Sequence, residues 1–326
     1  MRVAINGMGR IGRLLFRRLL QEPGIELVAI NDIMPADNLH YLLRYDSVYG
    51  TFPETLNLDG NEISYNDKKI RVFQKEQPSQ LPWGTLGVDV VLECSGNFTK
   101  KALAEEHLHA GAKRVLLSTT GSPDIPLLIY GFNHSSVTPD TKIISPGGCM
   151  TNCSLHVLYI LNAIGIQSAQ INMLHSYTSR QELVDAPHKQ FRRGRAAAES
   201  IIPVEIDLHQ SLERMMPGME GRMSAISTRV PVANGAMGDF SVVLKTEVSV
   251  TQINNLFRKS AANGYKGIID YTEEPLVSLD IKGNKHSCII DGTMTTVVGN
   301  HVKIVAWFDN EFGFTSRMID FLHYLK

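Results

Sequence analysis

Residues 2–32 read as apolar strand, glycine-rich turn, amphipathic helix and second apolar strand, and this order limits the fold more than any other feature. Arg2 to Ile5 and Leu27 to Ile30 are the two short apolar runs. Between them, Arg10 to Leu20 carries Ile11, Leu14, Leu15 and Leu19 at helical spacing. Strands joined through a helix lie parallel, with a right-handed crossover. The turn into the helix is Gly7-Met8-Gly9-Arg10-Ile11-Gly12. Its first glycine allows a tight turn, its second lets backbone approach a pyrophosphate, and its third lets the helix pack closely. The helix N-terminus then offers N–H groups to an anion. Asp32 ends the second strand about 20 residues past Gly12, where an acid accepts from a ribose 2′-hydroxyl and repels a 2′-phosphate. The glycines alone equally describe a plain turn, and Asp32 alone a strand terminator. In register, they predict dinucleotide binding, with NAD favoured over NADP.

Further strands are predicted at Val88 to Leu92, Val115 to Ser118, Leu127 to Tyr130 and Lys142 to Ile144, with a helix over Lys100 to Ala110. That alternation predicts a doubly wound, Rossmann-type α/β domain over residues 1–148. Beyond it the pattern changes. An apolar helix (Thr151 to Ala163) leads to a strand ending near His175, and a polar, Arg-rich loop runs from Tyr177 to Ser200. Strand-like runs then follow at Met223 to Val232, Asp239 to Thr246, Pro275 to Asp280, Ser287 to Ile290 and Val302 to Trp307. Few crossover helices separate them, so residues 149–311 are expected to form an α+β catalytic domain with a mostly antiparallel sheet. Phe312 to Lys326 reads as a closing amphipathic helix.

A chain of 326 residues accommodates two such domains. A formal net charge of −1 gives no concentrated basic surface for nucleic acid or a membrane. The longest apolar stretch, Leu155 to Ile166, is too short to span a bilayer. No leader pattern precedes the first strand, and four cysteines do not make a disulfide framework. A cytoplasmic address is expected.

Cys149 follows Pro146-Gly147-Gly148 and opens the second domain's first helix. A thiol there meets the positive end of the helix dipole, which favours the thiolate that attacks a carbonyl. His175, at a strand end, is placed to pair with it as an ion pair and proton acceptor. Buried cysteines are usually inert and most lone histidines do no chemistry, so spacing alone leaves the pair open. Cys153, one turn on, reads as a core cysteine with oxidation as the lesser alternative, and Cys94 and Cys288 as packing residues. No His/Cys pair has metal-ligand spacing. Arg192-Arg193-Gly194-Arg195 reads equally as a solvated face, the border of an anionic ligand, or a subunit contact.

At these residues the chain resembles the glyceraldehyde-3-phosphate dehydrogenase family, including its erythrose-4-phosphate dehydrogenase branch. The similarity runs from Ala4-Ile5-Asn6-Gly7 through Asn31-Asp32, Cys149-Met150-Thr151-Asn152-Cys153 and His175-Ser176-Tyr177-Thr178. It continues through Arg195-Ala196-Ala197-Ala198, Ile201-Ile202-Pro203 and Arg229-Val230-Pro231 to Trp307-Phe308-Asp309-Asn310-Glu311-Phe312-Gly313. The resemblance implies a homotetramer in carbohydrate metabolism whose NAD domain is completed by helix 312–326. It makes Cys149 the nucleophile and His175 its base. Gly7, Gly9, Arg10, Ile11, Gly12, Asp32, Ser118 and Asn310 become cofactor contacts, and Thr178 and Arg229 the substrate-phosphate site. Pro187 matches the loop that crowds a neighbouring subunit's adenosine ribose.

Some positions depart from the family pattern. Gly148 and Met150 replace hydroxyl residues beside Cys149, Ile206 and Asp207 stand where Thr-Gly is usual, and Arg180 replaces a threonine. These positions serve anionic phosphate, so a raised KM for phosphate or release of the thioester by water is expected, with a second anion site using Arg180 or Arg195 as the compensating alternative. The leading expectation is oxidation of glyceraldehyde 3-phosphate through a cysteine thioester released by phosphate to 1,3-bisphosphoglycerate. The alternative is oxidation of erythrose 4-phosphate with hydrolytic release to 4-phosphoerythronate, to which Asp291-Gly292-Thr293 points. A third reading is a non-catalytic NAD-binding regulator.

Overall fold

A computed structural model describes residues 1–326. Two compact units form: Met1–Gly148 together with Thr315–Lys326, and Cys149–Phe314.

The first unit contains β1 (Arg2–Asn6), α1 (Arg10–Leu19), β2 (Glu26–Asn31), α2 (Ala36–Arg44), β3 (Asn57–Asp59), β4 (Glu62–Tyr65), β5 (Lys68–Phe73), β6 (Val90–Glu93), α3 (Lys101–His109), β7 (Arg114–Leu117) and β8 (Ile143–Ile144). Its sheet runs β3-β4-β5-β2-β1-β6-β7-β8. The stretch from β5 to β8 is parallel, and β3, β4 and β5 pair antiparallel at one edge. The central strands read as continuous apolar runs because both faces are covered; all four residues of β6 are buried. The chain leaves β1 toward β2 on one side and returns to β6 on the other. That reversal puts the crevice for a ligand at the strands' carboxyl ends.

Two features here differ from the sequence reading. Helix α2 and strands β3 to β5 were not foreseen. Leu127 to Tyr130 is not a strand, since only an isolated bridge joins Leu127 to Ser145. The Asn133 side chain takes the segment's ladder groups instead, accepting from Ile129 N–H at 2.6 Å and donating to the Leu127 carbonyl at 3.0 Å. Local side-chain bonds of this kind compete with sheet pairing.

The second unit contains α4 (Cys149–Leu161), β9 (Ile166–Ser176), β10 (Ile202–Glu205), α5 (Leu208–Met215), β11 (Met223–Val230), β12 (Ala236–Leu244), α6 (Val250–Ala262), β13 (Ile269–Thr272), β14 (Cys288–Asp291), β15 (Thr296–Val298) and β16 (His301–Phe308); α7 (Phe312–Tyr324) follows. The sheet order is β10-β11-β9-β12-β16-β14-β13, with β15 against β16. Only β9–β11 and β13–β14 pair in parallel. Pro275 to Asp280 forms turns rather than a strand, because Val277 N–H bonds the Asp280 carboxylate and Asp280 N–H the Val277 carbonyl. Helix α6 begins with a capping box between Ser249 and Gln252. The parallel register of β9 and β11 sets His175 opposite Arg229, and this alignment builds the site.

Candidate active site

Within the second unit, α4 begins at Cys149 and β9 delivers His175. Cys149 Sγ lies 3.6 Å from His175 Nε2. The histidine is 3% exposed, whereas the cysteine is half-buried. Arg229 Nη1 lies 2.6 Å from His175 Nδ1 and 3.3 Å from the Ser176 carbonyl, which is itself 2.8 Å from Nδ1. One ring nitrogen cannot both accept from the guanidinium and donate to the carbonyl, so the tautomer follows whichever partner holds it.

Burial pushes the Cys149 thiol up to about 11, while Arg229 and the N–H groups of Met150 and Cys149 pull it down. Burial and then the Arg229 cation push His175 down to about 3. With these values the pair is a neutral thiol beside a neutral imidazole. This corrects the expectation of a resting thiolate: withdrawal from water outweighs the helix terminus.

A cluster of guanidiniums adjoins the pair. Arg229 is held down to about 10 by burial and by repulsion from Arg193 and Arg180. Arg193 is lowered by burial and by Arg180. Arg229 Nε, Arg193 Nη1 and Gln181 Nε2 are buried donors without a hydrogen-bond acceptor, the arrangement an anion would complete. Arg195 lies outside this group and pairs with exposed Asp185 at 2.9 Å. The assignment of Arg195 thus gives way to Arg193. Its carbonyl accepts from Glu182 N–H, Gly194's accepts from Ala186 N–H, and these bonds fix which arginine of the run turns inward. Thr178 adjoins the cluster, its hydroxyl 3.2 Å from Gln181 Oε1. Asn310 Oδ1 accepts from Gly235 N–H at 2.8 Å and the Ser176 hydroxyl at 3.2 Å, leaving its amide nitrogen as the end it can present.

The first unit carries the glycine turn. Gly7 has φ +92°, and a Cβ there would stand 2.3 Å from Ser95 N; one at Gly12 would stand 2.0 Å from the Gly7 carbonyl. A Cβ on Gly9 would meet nothing within 4 Å. The outer glycines are thus required by the protein's own backbone, and Gly9 leaves space where a pyrophosphate approaches. Asp32 accepts from Met8 N–H at 2.5 Å and from Met34 N–H at 3.0 Å, so it also anchors the turn. The Arg10 guanidinium is bound to Asp46, and the backbone N–H groups of Arg10 and Ile11 lie in the first turn of α1. Ser118 follows β7 and its N–H bonds the Glu93 carbonyl.

Sequence reading missed the polar chain behind this turn. Trp83 Nε1 donates to His107 Nδ1 at 3.0 Å, and His107 Nε2 donates to Glu93 at 2.9 Å. Glu93 also accepts from Asn6 at 2.6 Å, and Asn6 accepts from Asn31 at 2.7 Å. The signal was present as polar residues ending three apolar strands. Asp291-Gly292-Thr293 proves structural: Asp291 accepts from Thr293 N–H and hydroxyl at 3.1 and 2.6 Å and from Trp307 Nε1 at 3.1 Å.

Residues 1–101 match the sequence profile of the glyceraldehyde 3-phosphate dehydrogenase NAD binding domain, and residues 148–310 that of the C-terminal domain of the same enzyme. Glyceraldehyde-3-phosphate dehydrogenase 1 of Streptomyces avermitilis is 40% identical over 322 residues, covering 98% of this chain and 96% of the relative. Glyceraldehyde-3-phosphate dehydrogenase 1 of Bacillus subtilis is 39% identical over 327 residues, covering 99% and 98%. With both domain profiles matched in order and nearly the whole length shared, this NAD-dependent oxidoreductase belongs to the glyceraldehyde-3-phosphate dehydrogenase family.

Proposed function

We propose that the enzyme oxidises glyceraldehyde 3-phosphate through a thioester on Cys149. The observation that carries the reading is the Cys149–His175 pair at 3.6 Å beside a guanidinium cluster with unfilled donors. Cys149 Sγ attacks the aldehyde carbon as its proton passes to His175 Nε2, which hands that proton on to the carbonyl oxygen, so the new carbon–sulfur bond leaves a hydroxyl on that carbon and a neutral imidazole. His175 Nε2 takes the hydroxyl proton as the carbon gives up hydride, which produces the thioester. NAD, when bound, accepts the hydride. Asp32 holds the adenosine ribose, the first turn of α1 holds the pyrophosphate, and Asn310 presents its amide nitrogen to the nicotinamide carboxamide.

Arg229 serves the substrate phosphate, with Thr178 beside it. On engaging that dianion, the guanidinium leaves His175 Nδ1 free to donate to the Ser176 carbonyl, which makes Nε2 the basic nitrogen. Arg193 and Arg180 supply the second anion site, where inorganic phosphate attacks the thioester to give 1,3-bisphosphoglycerate. The four-carbon alternative loses its sequence support, because Asp291 and Thr293 are occupied with each other and with Trp307.

Leu183, Val184, Phe191 and Ile201 are 62%, 78%, 88% and 71% exposed on and beside one loop, a surface that a homotetramer would cover. No helix is long and apolar enough to cross a membrane, and the reading places the enzyme in the cytoplasm. The test is NADH production with three- and four-carbon aldose phosphates, with and without inorganic phosphate. Phosphate-dependent turnover of the triose phosphate is expected; a clear preference for the four-carbon sugar without phosphate would overturn the assignment.

A further inference from the structure

Glu93 is 2% exposed and ends β6, opposite Asn6 at the end of β1. Four donors converge on its two oxygens. The Ser95 N–H and hydroxyl reach Oε1 at 2.7 and 2.5 Å, while Asn6 Nδ2 and His107 Nε2 reach Oε2 at 2.6 and 2.9 Å. That is the bonding of a carboxylate, which only accepts. Ser95 Oγ accepts from Asn97 N–H at 3.1 Å, so its own hydrogen is committed to Glu93. Trp83 Nε1–H can only donate, so its bond to His107 Nδ1 leaves the ring hydrogen on Nε2 and the imidazole neutral. Both Trp83 and His107 are fully buried, which holds the ring against the carboxylate in one orientation.

The glycine turn starts immediately after Asn6 and leans on Ser95. A Cβ on Gly7 would lie 2.3 Å from Ser95 N and 2.4 Å from Ser95 Cα, so the Ser95 backbone decides where the turn can sit. One carboxylate thus grips the residue before the turn with one oxygen and the residue behind it with the other. We infer that Glu93 is a positioning residue for the dinucleotide, acting through Asn6 and Ser95 to hold the turn where a pyrophosphate meets it, with His107 and Trp83 fixing its orientation. This role presupposes that the turn holds the cofactor, as proposed above.

Positioning and charge predict opposite signs. A buried anion beneath a pyrophosphate repels it, so if charge were the main effect, neutralising Glu93 would tighten NAD binding. Positioning predicts the reverse. Glutamine has one acceptor oxygen in place of two, so whichever pair of donors it serves, the other pair faces an NH2 group. Either Asn6 and His107 or Ser95 is then released, and the turn loses one of its two holds.

Calorimetric dissociation constants of the full-length enzyme for NAD and for ADP-ribose test this, beside steady-state kinetics. In Glu93→Gln both constants should rise together by about tenfold or more, the scale of one lost hydrogen bond to a charged group, and KM for NAD should rise far more than kcat falls. ADP-ribose keeps the pyrophosphate and lacks the nicotinamide, so an equal loss places the defect at the turn. His107→Phe removes the Nε2 donor but keeps a ring, and it should weaken both ligands; His107→Gln supplies an uncharged donor and should recover most of that loss. Gly9→Ala is the control on the site itself. Gly9 has φ −69° and nothing within 4 Å of its Cβ position, so alanine fits the free protein but stands where a pyrophosphate would approach. Unchanged or tighter binding in Glu93→Gln, or in His107→Phe should the first variant not fold, overturns the inference, as does a loss for NAD without one for ADP-ribose. If Gly9→Ala also binds NAD like wild type, the reading of the turn fails with it. If Gly9→Ala alone loses NAD, the turn holds the cofactor and only the role of Glu93 is rejected.

Discussion

Arg229 Nη1 sits 2.6 Å from His175 Nδ1, across the imidazole from the nitrogen that meets Cys149. The cation therefore acts on both partners of the pair. It lowers the basicity of His175 and stabilises a thiolate on Cys149. Replacing Arg229 with Leu should raise the midpoints of both groups. The rate of Cys149 alkylation against pH should move to higher pH, and His175 should titrate higher by NMR. A fall in the Cys149 midpoint would show that another cation controls the thiol. In His175→Asn, kcat should drop by about 10²–10⁴-fold, the usual contribution of one proton-transfer group, while NAD binding stays measurable.

His175 also predicts how the protein responds to acid. Its folded value, about 3, lies below the ordinary 6.5. Between those limits the unfolded chain binds a proton that the folded site refuses, so stability falls as pH drops from 6.5 towards 3. Denaturant midpoints measured across that window should decline less steeply in His175→Asn than in wild type. Parallel declines would assign the acid sensitivity to other groups.

Asp32 is expected to set cofactor choice while also supporting the turn. Asp32→Gly removes the charge that repels a 2′-phosphate, so the ratio of kcat/KM for NAD over NADP should fall by roughly 1.5–3 kcal/mol, the worth of a hydrogen bond to a charged group. The same carboxylate accepts from Met8 N–H, so the KM for NAD should rise independently of the ratio. An unchanged ratio would mean that the ribose is read elsewhere.

How much of this was legible in the sequence follows from the range of each interaction. The turn from β1 into α1, with Asp32 at the end of β2, is local, and periodicity with glycine chemistry suffices to read it. Cys149 and His175 were nameable as chemical types at element ends. Their 3.6 Å approach depends on how α4 sits against β9, which spacing does not encode. Arg193 shows the limit more sharply. Nothing in Arg192-Arg193-Gly194-Arg195 says which guanidinium turns toward Arg229; backbone bonds to Glu182 and Ala186 decide it. Leu127 to Tyr130 failed the other way: its apolar pattern suits a strand, but one asparagine side chain captured the groups a ladder needs.

The acyl acceptor supplies the sharpest test of the departures from family pattern. Phosphate attack on the thioester requires donors around a dianion beside Cys149. Gly148 offers no hydroxyl there, and Ile206 is apolar. Asp207, in place of the family's glycine, is exposed immediately before α5 and makes no side-chain capping bond. Against this stand Arg180 and Arg193, close enough to depress the Arg229 guanidinium. Gly148→Ser separates the two effects, because a Cβ at that position meets nothing within 4 Å and the change is sterically free. A serine immediately before α4 also suits a helix N-terminus, its oxygen accepting from backbone while its hydrogen remains to donate. If the missing hydroxyl limits phosphate binding, restoring it should lower the KM for phosphate by about tenfold to a hundredfold, matching roughly 1.5–3 kcal/mol for a hydrogen bond to a charged group. Turnover without phosphate should fall in step. Steady-state NADH production at saturating aldehyde, with phosphate raised from zero, measures both. An unchanged and already low KM in Gly148→Ser would show that the guanidiniums supply the site unaided. Arg180→Ser, made in the same background, should then raise that KM, since it removes the cation this chain has in place of the usual threonine.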